Sequence, residues 1–343
     1  YPDPEKPNST AELDVLIHWG NTLICTEAKA GQIDWNSIAL KLKNSESTKP
    51  NKKRIRKHLT KVIREAWRQG ERAEKYFTNS EKPIFSIKSE TGTNNIEIDK
   101  PLRIILLAIT LKPLHSLICD VSPLKKFGVI RETDYPIISN IFDFEIILER
   151  CHKQPEILLS YLIEKSNLVC SPAHIHTTDE LDFFDSWNLG LFDGELHDEG
   201  NLILIDDFQN SFNEENQKAK LNLPIGIQNI ISSLKSDEDP ICHFIATELV
   251  QFGLDALHQL HKKLLEFKTT QLEPEQARVV SIMKENKLLM AVCVNDMPLE
   301  NVEKHLLFYL DEKAKDLKPD IIVSFAVCPE DPFFPKKTAY MKR

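Results

Sequence analysis

Three side chains near the start of the chain have the types and the spacing that phosphodiester chemistry needs. Asp14 lies in a first apolar run, and Glu27 and Lys29 end a second one. The pair Gly20-Asn21 separates the two runs, which predicts an antiparallel β-hairpin. Because strand side chains alternate between faces, Glu27 and Lys29 point the same way, and Asp14 joins them if the register allows.

Two carboxylates beside one ammonium group suit metal-assisted hydrolysis. We expect Asp14 and Glu27 to hold a hard divalent cation, Mg²⁺ or Mn²⁺, with water completing its shell. Such a cation polarises a phosphoryl oxygen and lowers the pKa of a bound water. Lys29 would then orient that water or help to deprotonate it. The alternative is a charged edge strand with no chemistry.

The order Asp14, twelve residues, then Glu27-x-Lys29 resembles the active-site signature of the PD-(D/E)XK nuclease superfamily. The resemblance covers residues 1–124. It implies a restriction-endonuclease-like core that hydrolyses DNA phosphodiester bonds, in defence or in repair. In several families of this superfamily a glutamine on the helix after Glu-x-Lys reaches the active site, and Gln69 matches that role by its place on a helix face.

Residues 52–77 show the clearest helical pattern in the chain. One face recurs at spacings of three and four and consists of Ile55, Leu59, Val62, Ala66, Gln69, Ala73 and Tyr76. Gln69 is the polar exception, and a buried polar group needs a partner. It either reaches the active site or lies half exposed at the edge of the face.

A second face of the same helix is basic. Its candidate nucleic-acid-binding residues are Arg54, Lys57, Lys61, Arg64, Arg68 and Arg72. One interpretation is a track that contacts phosphates. The other is an ordinary exposed face, partly compensated by Glu65, Glu71 and Glu74.

Composition and charge limit the classes of function. The 343 residues are 41% hydrophobic and 28% charged, which is typical of a globular protein, and no apolar run is long enough to span a bilayer. Seven scattered cysteines without metal-site spacing favour reduced thiols and a cytoplasmic location. Ten glycines and no glycine-rich loop argue against a nucleotide-binding loop.

Charge is unevenly distributed along the chain. Residues 1–126 hold 22 Lys and Arg against 15 Asp and Glu, a net charge of +7, whereas the remainder holds 21 against 37, a net charge of −16. The basic first part suits DNA. The acidic second part leaves a protein partner as its candidate ligand.

The predicted fold class is α/β, in three parts. Residues 1–124 form the nuclease-like mixed-sheet core, with strands at 82–90 and 102–111. Residues 125–270 form a mainly helical accessory region, with a helical pair at 136–165 and one long helix at 240–267. Residues 271–343 form a small α+β unit, with strands at 278–284, 288–294 and 320–327 and a helix at 298–315.

Three functional hypotheses follow from these residues. The first is the Mg²⁺-dependent nuclease. The second is a protein that keeps the nuclease fold but only binds nucleic acid or a partner, because the upstream acidic residue of many such nucleases is not recognisable. The third is a hydrolase that uses His174 and His176, with Asp179 and Asp182 nearby, and it requires a third ligand in space.

Overall fold

A computed structural model describes the chain except for residues 7, 31–48, 90–91, 113, 152–153, 171–173, 178–179, 191, 193–201, 206–222, 270–275, 285, 296, 334 and 343. The protein is mixed α/β, as predicted. Its internal contacts divide it into two compact units, residues 1–154 with 161–219 and residues 155–160 with 220–343. This division does not follow the predicted boundaries after residues 124 and 270, and the three-part organisation stays a prediction.

The strands of the first unit are β1 (Val15–Trp19), β2 (Thr22–Lys29), β3 (Ile84–Ser89), β4 (Gly92–Glu97), β5 (Arg103–Thr110), β6 (Ile137–Asn140), β7 (His174–Thr177) and β8 (Leu202–Ile205). A four-stranded sheet has the order β1-β2-β5-β6. Strands β1 and β2 form the predicted antiparallel hairpin, and β5 and β6 continue the sheet in parallel with β2. Strands β3 with β4 and β7 with β8 form two separate pairs.

The helices of this part of the chain are α1 (Lys49–Leu59), α2 (Glu65–Asn79), α3 (Ser122–Lys126), α4 (Ile141–Arg150), α5 (Pro155–Cys170, whose residues 155–160 are counted with the second unit) and α6 (Glu180–Asn188). A short 3-10 helix covers His115–Ile118.

The predicted helical pair at 136–165 is wrong in its first part. Residues 137–140 form strand β6, which pairs with β5, so the sheet continues beyond residue 124. The change to helix occurs at Asn140, whose side-chain oxygen accepts a hydrogen bond from the backbone N–H of Phe142. This is an N-cap, and it fixes the start of α4 directly after the strand.

Helices α1 and α2 are joined by one π-helical turn over Thr60–Arg64, in which the backbone N–H of Glu65 bonds to the carbonyl of Thr60. The wider turn brings two consecutive side chains, Val62 and Ile63, into the buried face. Farther along, the buried residues of α2 are Ala66, Gly70, Ala73 and Phe77.

The sheet-facing side of α2 packs closely on β2 and β5. Gly70 lies against Leu106, whose side chain would be 3.4 Å from a β-carbon at position 70. Ala73 and Phe77 share a hydrophobic cluster with Cys25. The helix therefore covers one face of the sheet.

The second unit contains α7 (Ile225–Lys235), α8 (Pro240–Val250), α9 (Leu254–Thr269), β9 (Ala277–Lys284), β10 (Lys287–Val294), α10 (Leu299–Leu317), β11 (Ile321–Val327) and β12 (Lys337–Lys342). Its sheet has the order β12-β11-β10-β9, with a parallel central pair and antiparallel outer strands.

Alternation along β10 builds two cores in the second unit. Leu289 and Ala291 pack with α7, α8 and α9 on one face of the sheet, and Leu288 and Met290 pack with α10 on the other. The predicted single helix at 240–267 is wrong, because Gly253, with φ of 79°, separates α8 from α9. Within the described residues of the protein, no helix combines the length and apolarity needed to cross a membrane.

Candidate active site

The hairpin register places Asp14 opposite Glu27. Gly20 adopts φ of 53° in the turn, a conformation that glycine reaches without strain, and Trp19 pairs with Thr22 across it. Pairing continues to Val15 and Thr26 at the far end of the hairpin. The next residue on each strand is then Asp14 on one side and Glu27 on the other.

All three candidate residues share the face of the sheet that α2 covers. Cys25 packs in the cluster under this helix, and Leu16, its partner on β1, packs against the same cluster. Glu27 follows Cys25 by two residues and Lys29 follows by four, and Asp14 precedes Leu16 by two. Side chains two apart on a strand point to the same face.

The three side chains meet at short distances. Lys29 Nζ lies 2.8 Å from Glu27 Oε2 and 3.8 Å from Asp14 Oδ2. Asp14 Oδ2 also accepts a hydrogen bond of 2.8 Å from the backbone N–H of Ala28. The Ala28 amide therefore fixes the carboxylate of Asp14 beside that of Glu27. The Ala28 amide was not identified from the sequence as part of the site, because the prediction considered side chains only. The register of the hairpin predicts the position of this amide.

Burial differs sharply among the three. The side chain of Glu27 is 2% exposed, that of Lys29 is 22% exposed and that of Asp14 is 46% exposed. Burial raises the pKa of Glu27, the hydrogen bond and charge of Lys29 lower it, and the charge of Asp14 raises it further. The net direction is upward, so desolvation outweighs the single ammonium partner.

One oxygen of Glu27 is left without a partner. Glu27 Oε1 is buried and makes no hydrogen bond to any described residue, whereas Oε2 bonds to Lys29. A buried carboxylate oxygen with no partner among the described residues calls for a physical explanation, and Glu156 Oε2 is another such oxygen. Glu27 differs because the carboxylate of Asp14 is fixed beside it. A cation held between Glu27 and Asp14 supplies one, because carboxylate oxygens are the ligands that Mg²⁺ prefers.

The two carboxylates fit Mg²⁺ better than a cation whose ligands must all come from the protein. Among the described residues, no group of three or more His, Cys, Asp or Glu side chains is placed to hold a metal ion. Two carboxylates remain, and Mg²⁺ is commonly bound through one or two carboxylates, with water and substrate phosphate completing its shell. Zinc in structural sites takes four protein ligands.

Gln69 is not joined to this group. It lies half-buried on α2, between the turns that carry Ala66 and Ala73. No hydrogen bond in the described part of the chain connects it to Asp14, Glu27 or Lys29. The position agrees with the edge of the helix face, and its predicted role in the active site stays a prediction.

The predicted basic face is divided by the π turn. One extra residue in a helix turns the following residues by about 100°, so Lys57 does not lie in a straight line with Arg68. In the described structure, Lys57, Lys61, Arg64 and Arg68 form no ion pair, whereas Arg72 Nη1 lies 3.3 Å from Asp3 Oδ2. The side chain of Arg54 lies outside the described residues.

The histidine alternative has little geometry to support it. His174 and His176 lie on β7, which pairs with β8, but their side chains fall outside the described residues, as does Asp179. Asp182 is buried in α6. A zinc site here stays a hypothesis.

In comparisons with protein-family models, with curated proteins and with solved structures, no match to this chain is found. Its candidate site therefore rests on the hairpin, the helix above it and the three side chains between them.

Proposed function

We propose that the protein is a Mg²⁺-dependent nuclease whose first unit has a restriction-endonuclease-like core and cleaves DNA phosphodiester bonds. One observation carries the proposal. Glu27, a buried carboxylate, has one oxygen bonded to Lys29 and one oxygen that no described residue bonds, and the carboxylate of Asp14 is fixed beside it. Such an arrangement is costly for folding alone, and a bound cation explains it.

The two carboxylates have separate tasks in this proposal. Asp14, more exposed and held by the Ala28 amide, faces the side from which a substrate phosphate can approach. Glu27 offers its free oxygen from inside. A bound Mg²⁺ neutralises charge on the phosphoryl oxygens and lowers the pKa of bound water to make a nucleophile.

Lys29 is placed to act in the proposed reaction together with the two carboxylates. Its ammonium group bonds Glu27 Oε2 and approaches Asp14 Oδ2, and its side chain is partly open to solvent. It can donate a hydrogen bond to the attacking water or to the developing negative charge on the phosphorane oxygens. The positive charge also offsets repulsion between the two carboxylates and the incoming phosphate.

DNA as the substrate is supported by charge and by the resemblance in the sequence. The helical segment that follows the hairpin carries Lys57, Lys61, Arg64 and Arg68, which form no ion pair with any described residue and of which all but Arg64 are exposed. Cations without protein partners are available to neutralise phosphates. Arg72 is a weaker candidate because it already pairs with Asp3.

The test is cleavage of supercoiled plasmid and of linear duplex DNA with Mg²⁺, with Mn²⁺ and with chelator. We expect metal-dependent cleavage by the wild-type protein, none after Glu27→Ala, and a loss of about 10²-fold or more after Lys29→Ala. The exposed Glu149→Ala variant is the matched control for loss of a carboxylate and should keep full activity. Cleavage that survives Glu27→Ala would show that another site is responsible.

A second candidate function is nucleic-acid binding without cleavage. It is favoured by the limited ligand set, since no group of three or more His, Cys, Asp or Glu side chains among the described residues is placed to hold a metal ion. This hypothesis predicts DNA affinity that is independent of Mg²⁺ and unchanged by Glu27→Ala. Titration calorimetry with Mg²⁺ distinguishes the two, because heat of binding that disappears in Glu27→Ala contradicts the binding-only protein.

A further inference from the structure

Four fully buried polar side chains form one hydrogen-bonded group in the first unit, which we name the Glu180 cluster: Ser139, Tyr161, Lys165 and Glu180. Glu180 Oε1 accepts hydrogen bonds from Lys165 Nζ at 2.5 Å and from the Tyr161 hydroxyl at 3.1 Å. Glu180 Oε2 accepts one from Ser139 Oγ at 2.5 Å. Lys165 also donates to the carbonyl oxygen of Ile138 at 2.7 Å.

Burying these polar side chains in the core costs free energy. The side chains of Lys165 and Glu180 are both 0% exposed, and well-packed apolar residues often replace such a pair without loss of stability. Burial and the charge of Glu180 raise the pKa of Tyr161 well above its ordinary value, so its hydroxyl keeps its proton and donates. What the cluster provides is a fixed orientation of Glu180, because Lys165 and Tyr161 donate to Oε1 and Ser139 donates to Oε2.

Hydrogen bonds connect the cluster to the strand that carries Lys29. Thr110 Oγ1 donates to the carbonyl of Lys112 at 3.0 Å and also lies 3.3 Å from the carbonyl oxygen of Ser139, and Asn140 Nδ2 donates to the carbonyl of Thr110 at 3.2 Å. Thr110 is the direct partner of Lys29 across β2 and β5. The backbone N–H of Leu111 donates to the carbonyl of Lys29 at 3.3 Å.

The connection reaches the active site through the sheet. Register along β2, β5 and β6 puts Asn140 on the face that carries Lys29 and Glu27, and puts Ser139 on the opposite face. The Glu180 cluster therefore bonds to the end of the sheet from the face opposite Lys29 and Glu27.

We propose that the Glu180 cluster is a positioning element that fixes the end of β2 and so holds Lys29 Nζ at its place between Glu27 and Asp14. Ser139 is the residue through which it acts, since its hydroxyl bonds Glu180 and its backbone pairs with β5 at Ile109, next to Thr110. The expected effect on catalysis rests on the proposed function. The expected effect on the order of strand β2 does not depend on that function.

The test compares two serine variants of equal size change in the intact chain. Ser139→Ala removes the bond to Glu180, and Ser186→Ala is the matched control, because Ser186 is equally buried but bonds only within α6, to the carbonyl of Asp182. Amide hydrogen exchange is measured residue by residue. We expect the Leu111 amide to exchange roughly tenfold faster or more in Ser139→Ala, the size of one lost hydrogen bond to a charged group, and to be unchanged in Ser186→Ala.

Tyr161→Phe is the second variant, and it keeps the ring and removes one donor to Glu180. It should accelerate the same amide even if Ser139→Ala does not fold. In DNA cleavage, both cluster variants should lower kcat per folded molecule with KM unchanged, where the folded fraction of each variant is measured by urea unfolding. General destabilisation lowers only the folded fraction and leaves kcat per folded molecule at the wild-type value.

The outcomes separate the two proposals. Wild-type exchange at Leu111 in Ser139→Ala and in Tyr161→Phe overturns the positioning role, whatever the nuclease activity is. A wild-type protein that never cleaves DNA overturns the proposed function, and accelerated exchange at Leu111 would still establish the connection to β2.

Discussion

Replacing Glu27 by glutamine should stabilise the metal-free protein at neutral pH, although it removes a residue with a charged partner at 2.8 Å. Burial raises the pKa of Glu27 above its ordinary value of 4.5, and Lys29 offsets this only in part. The native state therefore binds this proton more tightly than the unfolded chain. Stability is lost as the pH rises from below 4.5 through the folded-state pKa, and it stays lost at pH 7.

The magnitude follows from linkage. Each pKa unit by which folding raises the value lowers the stability of the wild-type protein at neutral pH by about 1.4 kcal/mol. The glutamine side chain of the Glu27→Gln variant carries no charge and avoids this loss. The difference between Glu27→Gln and wild type, measured by urea unfolding at a series of pH values, should be largest at pH 7 and should shrink below pH 4.5.

Mg²⁺ should reverse the order of the two proteins. At a Mg²⁺ concentration about 100 times the Kd, binding to the native state adds about 2.7 kcal/mol. For a domain of this size each kcal/mol corresponds to about 2–4 °C in Tm, so the wild-type Tm should rise by about 5–10 °C. The Tm of Glu27→Gln should not rise, and the exposed Glu149→Gln control should respond like wild type.

Two results would refute this reasoning. The first is an equal rise in Tm with Mg²⁺ in Glu27→Gln and in wild type, which would place the cation elsewhere. The second is a stability difference with the same sign and size at pH 4 and pH 7, which would show that packing and not charge distinguishes the two side chains.

Three further changes test separate parts of the structure. Lys29→Met should lower single-turnover DNA cleavage by about 10²-fold or more while the Mg²⁺-induced rise in Tm persists, and full activity would remove Lys29 from the mechanism. Lys61→Gln combined with Arg68→Gln should lower the salt dependence of DNA affinity by about one unit of slope per contact in anisotropy titrations. An unchanged slope would exclude this helix as the DNA surface. Gly253→Val should lower the unfolding free energy of the second unit by about 1–2 kcal/mol, because φ at this position is 79°; a smaller loss in urea unfolding would mean that the turn relaxes.

The hairpin could be predicted from the sequence because its signals are local. Gly20 and Asn21 supply the turn, and two apolar runs of strand length flank it. The register then follows from the turn, and the convergence of Asp14, Glu27 and Lys29 follows from the register. The order of β9, β10, α10 and β11 in the second unit could be predicted for the same reason, because the spacing of apolar residues in each element is typical of a strand or of a helix.

Other elements could not be predicted because tertiary contacts decide them. Residues 137–140 are four apolar or small residues before a strong helical pattern, and only pairing with β5 makes them a strand. The π turn at Thr60–Arg64 does not interrupt the spacing of apolar residues, so a regular helix fits the sequence equally well. Strand β12 is short and half-exposed, and its partner β11 supplies its order.

The Glu180 cluster could not be predicted from the sequence for a different reason. Lys165 follows Tyr161 by one helical turn in α5, on a helix that is apolar around most of its surface. A lysine at such a position indicates a buried partner, but sequence spacing alone does not identify Glu180, which lies in another helix. Nor does it reveal the bond from Ser139, which depends on the strand that was not predicted.

The arrangement of Glu27 explains how one carboxylate can serve both an ammonium group and a cation. If both of its oxygens bonded to Lys29, a metal ion would have to displace the lysine, and each binding event would disorder the group that acts on the water. Lys29 instead bonds Oε2, and no described residue bonds Oε1. The proposed cation on Oε1 would lower the energy of the buried charge without breaking that bond. The raised pKa of Glu27 and the proposed binding of a cation would therefore both follow from the same side-chain orientation.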